Sequence, residues 1–152
     1  MNRVERHIIK QSNRYYSLLD NFCFKSKNLY NFANYQIRQK FIKDKEYLNY
    51  YKMDALVKQE NMDVDYRSMP TAQSAQQCLK LLDKNWKSFF ASIKDYSKNA
   101  DKYLGRPKLP KYLSKNGRNV LILTNQNCRL VDGIINFPKS FKGFYLKTKV
   151  DN

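Results

Sequence analysis

The sequence predicts an α+β fold in which a small antiparallel β-barrel or sheet carries a three-helix insertion, and three observations point to it. Residues 14–43 contain neither proline nor glycine and space their apolar side chains as a helix does. Residues 75–96 sustain one apolar stripe at alternating intervals of four and three. Beyond residue 118 the pattern changes to short alternating runs broken by an Asp-Gly turn. The chain then divides into residues 1–12 and 118–152 as a β-domain, 13–97 as a helical lobe and 98–117 as a basic linker loop.

Taking the elements in order, Val4, Arg6 and Ile8 alternate with Glu5, His7 and Ile9, which predicts a short strand over 3–10. The first helix, from about residue 14, turns Leu18, Phe22, Leu29, Ala33 and Ile37 inward and carries an aromatic series from Tyr15 to Phe41. A second helix over 47–60 turns Leu48, Tyr51, Ala55 and Leu56 inward. The third begins at Pro70, whose missing N–H costs nothing in a first turn. Its stripe runs Ala75, Leu79, Leu82, Trp86, Phe89, Ile93 and Tyr96, and packs against the first helix. Gly105, Pro107, Pro110 and Gly117 punctuate the linker. Strands follow near 119–124, 128–137 and 143–150; Asp132-Gly133 folds the middle run into a hairpin, and the last alternates Phe144, Leu146 and Thr148 with Tyr145, Lys147 and Lys149. The strand at 3–10 joins this later sheet, which makes the helices an insertion.

In 152 residues there are 29 Lys and Arg against 13 Asp and Glu, a net charge of +16. An excess of that size predicts a polyanionic partner, since each phosphate neutralised releases condensed counterions. Lysine also accumulates through base composition alone, in chains rich in Asn, Lys, Tyr and Ile. The uneven distribution speaks against that reading: residues 97–118 hold seven basic residues and one acidic, whereas 46–69 are net acidic. A hydrophobic content of 42% supports a core and excludes wholesale disorder. No apolar run is long enough for a membrane span, and the first residues lack the apolar stretch of a secretory signal. Cys23, Cys78 and Cys128 have the spacing of neither a disulfide framework nor a zinc site. The expected location is cytoplasmic, associated with the nucleoid, with no membrane partner.

Catalytic chemistry is not predicted. His7 is the only histidine and has no nucleophile near it in sequence. Asp63 and Asp65 have the spacing of two calcium-loop ligands, but the later glycine and glutamate are missing, so they read as a solvated linker. Glu46, Asp54, Glu60, Asp63 and Asp65 cluster in a polar helical stretch and not in an apolar strand, where a rigid metal-binding carboxylate belongs. Nucleophile elbow, P-loop and dinucleotide fingerprint are all absent. Phosphate contact needs charge but no base specificity. Arg106, Lys108, Lys111, Lys115 and Arg118 of the linker and Lys80, Lys84 and Lys87 of the third helix are its candidates. Trp86 and Phe90 have faces on which bases could stack, but their place along the stripe assigns them to the core.

Four segments in order carry a family resemblance. They are Val4-Glu5-Arg6-His7-Ile8-Ile9-Lys10 with Leu29-Tyr30-Asn31; Gln76-Gln77-Cys78-Leu79-Lys80-Leu81-Leu82-Asp83 continuing to Trp86-Lys87-Ser88-Phe89-Phe90; Gly105-Arg106-Pro107-Lys108; and Asp132-Gly133 to Phe137-Pro138-Lys139. Together they resemble the N-terminal portion of TnpB (OrfB-type) proteins, transposon-encoded RNA-guided DNA endonucleases related to compact type V CRISPR effectors. The resemblance implies a wedge β-barrel with an inserted recognition lobe, gripping guide RNA and reading a short motif beside a double-stranded DNA target. The family's RuvC acidic triad with its magnesium, and its zinc module, lie further along the family chain. No cofactor is therefore expected in these residues, and a separately encoded nuclease half is an implied partner. The alternative is a truncated relic or a domesticated nucleic-acid-binding repressor or decoy. Residue by residue, the resemblance places Thr124-Asn125 at a DNA-contacting pair and Gln76 at a helical glutamine facing the same duplex, with Gln73 one turn earlier. It places Tyr50 at a DNA-contacting tyrosine, with Tyr51 aligning nearly as well. Amides can donate and accept together at an adenine edge, and threonine can offer a methyl to thymine.

Overall fold

The computed structural model describes residues 2–60 and 64–150, and its longest elements are two helices that the spacing predicts. Helix α1 spans Tyr16–Asp44 and stops where Lys45 turns left-handed, its N–H bonded to the Phe41 carbonyl at 3.0 Å. Helix α4 spans Ala72–Tyr96. Pro70 stands before its cap and not inside its first turn. The cap is Thr71, whose hydroxyl accepts the Ser74 N–H at 3.0 Å while Ser74 Oγ accepts the Thr71 N–H at 3.2 Å. Between them lie α2 (Tyr50–Glu60) and α3 (Val64–Ser68), so four helices replace the expected three. Asp65 falls in the first turn of α3; Asp63, the other half of the considered calcium pair, lies outside the described residues.

The register of α2 differs from expectation. Tyr51 is 78% exposed and Ala55 is exposed too, while Met53 and Val57 are buried with Leu48. The cause is Asp83 of α4, which accepts the Tyr50 N–H at 3.1 Å and the Tyr47 hydroxyl, pinning the start of α2. From Tyr50, steps of three and four carry Met53 and Val57 inward.

The main core lies where Leu29, Ala33 and Ile37 of α1 meet Ala75, Leu79, Leu82 and Trp86 of α4. Trp86 is fully buried, with Phe41, Tyr47, Phe89 and Phe90 around it at centroid distances of 5.5 to 5.9 Å. Its indole N–H donates to Asn34 Oδ1 at 3.0 Å, so the polar edge of the ring is satisfied within the core.

Strands β1 (Arg129–Val131), β2 (Ile134–Asn136) and β3 (Tyr145–Lys147) form one antiparallel sheet in that order, open and not closed into a barrel. Val131 pairs with Ile134 around Asp132-Gly133, whose φ angles of +49° and +74° suit a two-residue hairpin turn. A second cluster, built on Phe22, Phe141 and Phe144, seats the sheet against the start of α1.

Two expected strands are not strands. Residues 3–10 lie beside the end of β3, but Glu5 makes the connection through its side chain, accepting from Thr148 Oγ1 at 2.6 Å and the Lys149 N–H at 2.7 Å. A carboxylate takes the place of a backbone ladder there, and His7 bonds the same group at 3.0 Å. Residues 119–124 form no strand, and their partners belong to α1: the Asn119 N–H donates to the Cys23 carbonyl at 3.1 Å, and Ser26 Oγ donates to the Val120 carbonyl at 2.9 Å. Leu121 and Leu123 pack into the cores. Val120 at the start of this run is 55% exposed, so the run is only partly covered and has no neighbouring strand.

Candidate nucleic-acid interface

Gln73, Gln76, Gln77 and Lys80 recur at three- and four-residue steps, so the beginning of α4 presents them on one face. The turn Thr124–Asn127 sits opposite. The two enclose an open cleft of about 240 Å³ whose far wall is Thr124, Asn125 and Gln126. Gln73, Gln76, Thr124 and Asn125, four of the five residues assigned to DNA by resemblance, therefore share a surface with Lys80. Tyr50, the fifth, is adjacent: Lys80 Nζ lies 5.1 Å from the centroid of its ring. Burial, with Asp54 and Tyr51 nearby, holds the Tyr50 phenol above its usual range. Tyr66 donates to Asp54 Oδ1 at 2.7 Å and lies within hydrogen-bonding reach of Gln76, which ties the cleft floor to α3.

The turn is built by a residue that sequence reasoning missed. Asn127 Oδ1 accepts the Thr124 N–H at 3.2 Å and the Thr124 hydroxyl at 3.3 Å, and Asn127 Nδ2 donates to Gln73 Oε1 at 3.2 Å. Gln77 and Gln126 were missed as well; the amide-dense run Asn125-Gln126-Asn127 was the available signal. Among the described residues the cleft is lined by neutral donors and acceptors with one cation and no carboxylate, beside the positive end of a 25-residue helix. Such a lining suits base edges flanked by phosphate.

The expected linker loop is an ordered strap. Arg38, Asn34, Asn31 and Lys27 form a polar stripe on α1 and each bonds the strap backbone, while Ser26, next along α1, bonds Val120 just beyond it. Arg38 Nη1 and Asn34 Nδ2 reach the Pro110 carbonyl at 2.9 and 3.1 Å. Asn31 both donates to and accepts from the Leu113 backbone, at 2.9 and 2.8 Å. Lys27, only 3% exposed, donates to the Lys115 carbonyl at 2.6 Å. This ladder uses up carbonyls of the strap and leaves its basic side chains outward. Arg106, Lys108, Lys111 and Lys115 are exposed, and none pairs with a carboxylate among the described residues. Arg106, Lys108, Lys111 and Arg38 rim a groove of about 510 Å³ floored by Phe41, Phe89, Ile93 and Leu109. Along α4, nine residues from Lys80 and sixteen from Gln73 lead to Phe89, which puts this groove about 14 Å from the near end of the cleft and about 24 Å from its far end.

Two candidates are engaged inside the protein. Arg118 forms a bidentate pair with Asp20 at 2.8 and 2.9 Å and donates to the Asn116 and Gly117 carbonyls, both at 3.0 Å. That pairing lowers the Asp20 carboxyl below its usual range. Phosphate contact by Arg118 would require breaking it. Lys87 pairs with Asp83 at 2.8 Å. Lys84, one turn after Lys80, is exposed and without an ion pair among the described residues.

Carboxylates serve the fold. Asp83 holds α2, Asp54 binds Tyr66 and Lys58, Glu5 binds the C-terminal segment, and Asp95 accepts from Asn99 and Tyr103. Among the described residues no three His, Cys, Asp or Glu side chains converge, and no helix is long and apolar enough to cross a membrane. No known protein-family profile matches the chain, and no curated protein is significantly similar to it in sequence.

Proposed function

We propose that this chain is the nucleic-acid-binding part of a TnpB-type RNA-guided DNA endonuclease, gripping guide RNA and reading a motif beside a duplex DNA target. The observation that carries the reading is the cleft. Residues chosen by resemblance from two distant segments meet there on one polar, carboxylate-free surface. In this reading the three-stranded sheet and the 119–124 segment are the wedge, and α1 to α4 are the recognition lobe. The strap supplies sequence-independent grip through Arg106, Lys108, Lys111 and Lys115, and the cleft supplies base contacts through Gln73, Gln76, Thr124 and Asn125. In the family this chain resembles, cleavage belongs to a RuvC nuclease portion with its own magnesium and zinc. No residue described here is assigned to it.

The test is binding of the purified chain to RNA transcribed from its own downstream flank, against a scrambled RNA of equal length, over a salt series. The reading predicts a preference for the native RNA that survives high salt. Equal binding that vanishes as salt rises would overturn it and leave a nonspecific polycation, the relic or decoy alternative.

A further inference from the structure

We infer that Asn127 fixes the hydrogen-bonding polarity of the cleft, so that Gln73 turns its NH₂ donor toward duplex DNA and selects against cytosine, the one base whose major-groove edge presents no acceptor. The inference rests on the proposed DNA-reading role of the cleft and adds which chemistry it reads.

The polarity follows from one unambiguous group. The Thr124 backbone N–H can only donate, and Asn127 meets it at 3.2 Å, so the Asn127 atom on that side must be Oδ1. The Thr124 hydroxyl donates to the same oxygen at 3.3 Å. Asn127 Nδ2 is thereby forced to the opposite side, where it donates to Gln73 Oε1 at 3.2 Å. The Gln73 carbonyl faces Asn127 and accepts one hydrogen bond there, so its NH₂ group is the end turned to a ligand. Adenine N7, guanine O6 and N7 and thymine O4 can each accept from it, whereas the cytosine major-groove edge offers only a donor. Thr124 is set in the complementary sense: its proton is committed to Asn127, so its oxygen lone pairs and methyl are what it offers. Asn127 itself is a positioning residue, acting through Gln73 and Thr124. The Thr71 hydroxyl, 3.5 Å from the same Asn127 oxygen, links this arrangement to the cap of α4.

Two substitutions invert the polarity by different routes. Asn127→Asp keeps an acceptor for Thr124 but removes the donor to Gln73; the Gln73 amide then turns its NH₂ group to the new carboxylate and presents its carbonyl outward. Gln73→Glu leaves the turn untouched, accepts from Asn127 Nδ2 with one oxygen and presents the other. Each is selected against a duplex library with a randomised stretch, beside the unmodified chain and Gln73→Ala, with thermal unfolding as a folding control. The expected result is depletion of cytosine at one position for the unmodified chain. Both inverting variants raise cytosine at that position by about tenfold or more, the size of one base-edge contact, and Gln73→Ala flattens it. Relative preference is read and not affinity, because either new carboxylate weakens binding to all sequences alike. Should the unmodified chain prefer cytosine at the Gln73-dependent position, or the folded inverting variants keep its preference, the polarity inference falls while the cleft remains a reader. An unmodified chain that selects no sequence at all overturns both.

Discussion

Asp83 receives the Tyr47 hydroxyl, the Tyr50 N–H and the Lys87 ammonium, and so joins α2 to α4 through one carboxylate. Burial pushes its carboxyl up, but these three donors outweigh burial and leave it below the usual range. A depressed folded value means that the stabilisation is present above the ordinary carboxylate range and is lost as pH falls through the folded value. Asp83→Ala should cost about 2 kcal/mol by leaving donors unpaired. The loss, measured by urea unfolding, should be full at neutral pH and shrink below about pH 4. A second expectation separates the cations. Arg106→Ala should reduce the slope of log affinity against log salt on duplex DNA by about 0.9, one phosphate contact, whereas Arg118→Ala should leave it unchanged because Arg118 is committed to Asp20. The residue types of the cleft were legible through resemblance. Asn127 was not, because its role is a side-chain bond to Gln73 across 54 positions that no local spacing reveals.

At the scale of elements, the strap depends on α1 side chains and not on a sheet. Asn34, 0% exposed, accepts from Trp86 Nε1 and donates to the Pro110 carbonyl, so it couples the core to the strap. Asn34→Ala should destabilise by about 2–3 kcal/mol through unsatisfied buried groups. It should also speed tryptic cleavage after Lys111 and Lys115 while the helical circular-dichroism signal persists; equal cleavage rates would show that the ladder does not hold the strap. Helices α1 and α4 were readable because apolar period and the absence of breakers are local properties. The register of α2 was not, since Asp83 of α4 sets it from outside. The strands expected at 3–10 and 119–124 failed for a related reason: alternation reports a buried face, and a ladder also needs a free strand edge.

Across the whole molecule, a charge of +16 opposes self-association, yet the sheet leaves Leu130, Val131 and Tyr145 more than half exposed. Edge strands with apolar side chains promote pairing between copies. Val131→Lys should therefore move a sizing profile toward monomer in the absence of nucleic acid, and an unchanged profile would place association elsewhere. The open sheet was only partly legible, since the hairpin turn is encoded by Asp132-Gly133 but closure of a barrel has no local signature. The two proposed loci, about 14 to 24 Å apart along α4, assign base contact to one and phosphate grip to the other, and that proposed division is the centre of the account. Its most direct test is a titration of the isotope-labelled chain with a short duplex, following side-chain amide resonances by NMR. The account predicts that Gln73, Gln76 and Asn125 shift together and saturate with the strap residues. Shifts confined to the strap, or centred on the sheet face with the cleft amides unmoved, would contradict it.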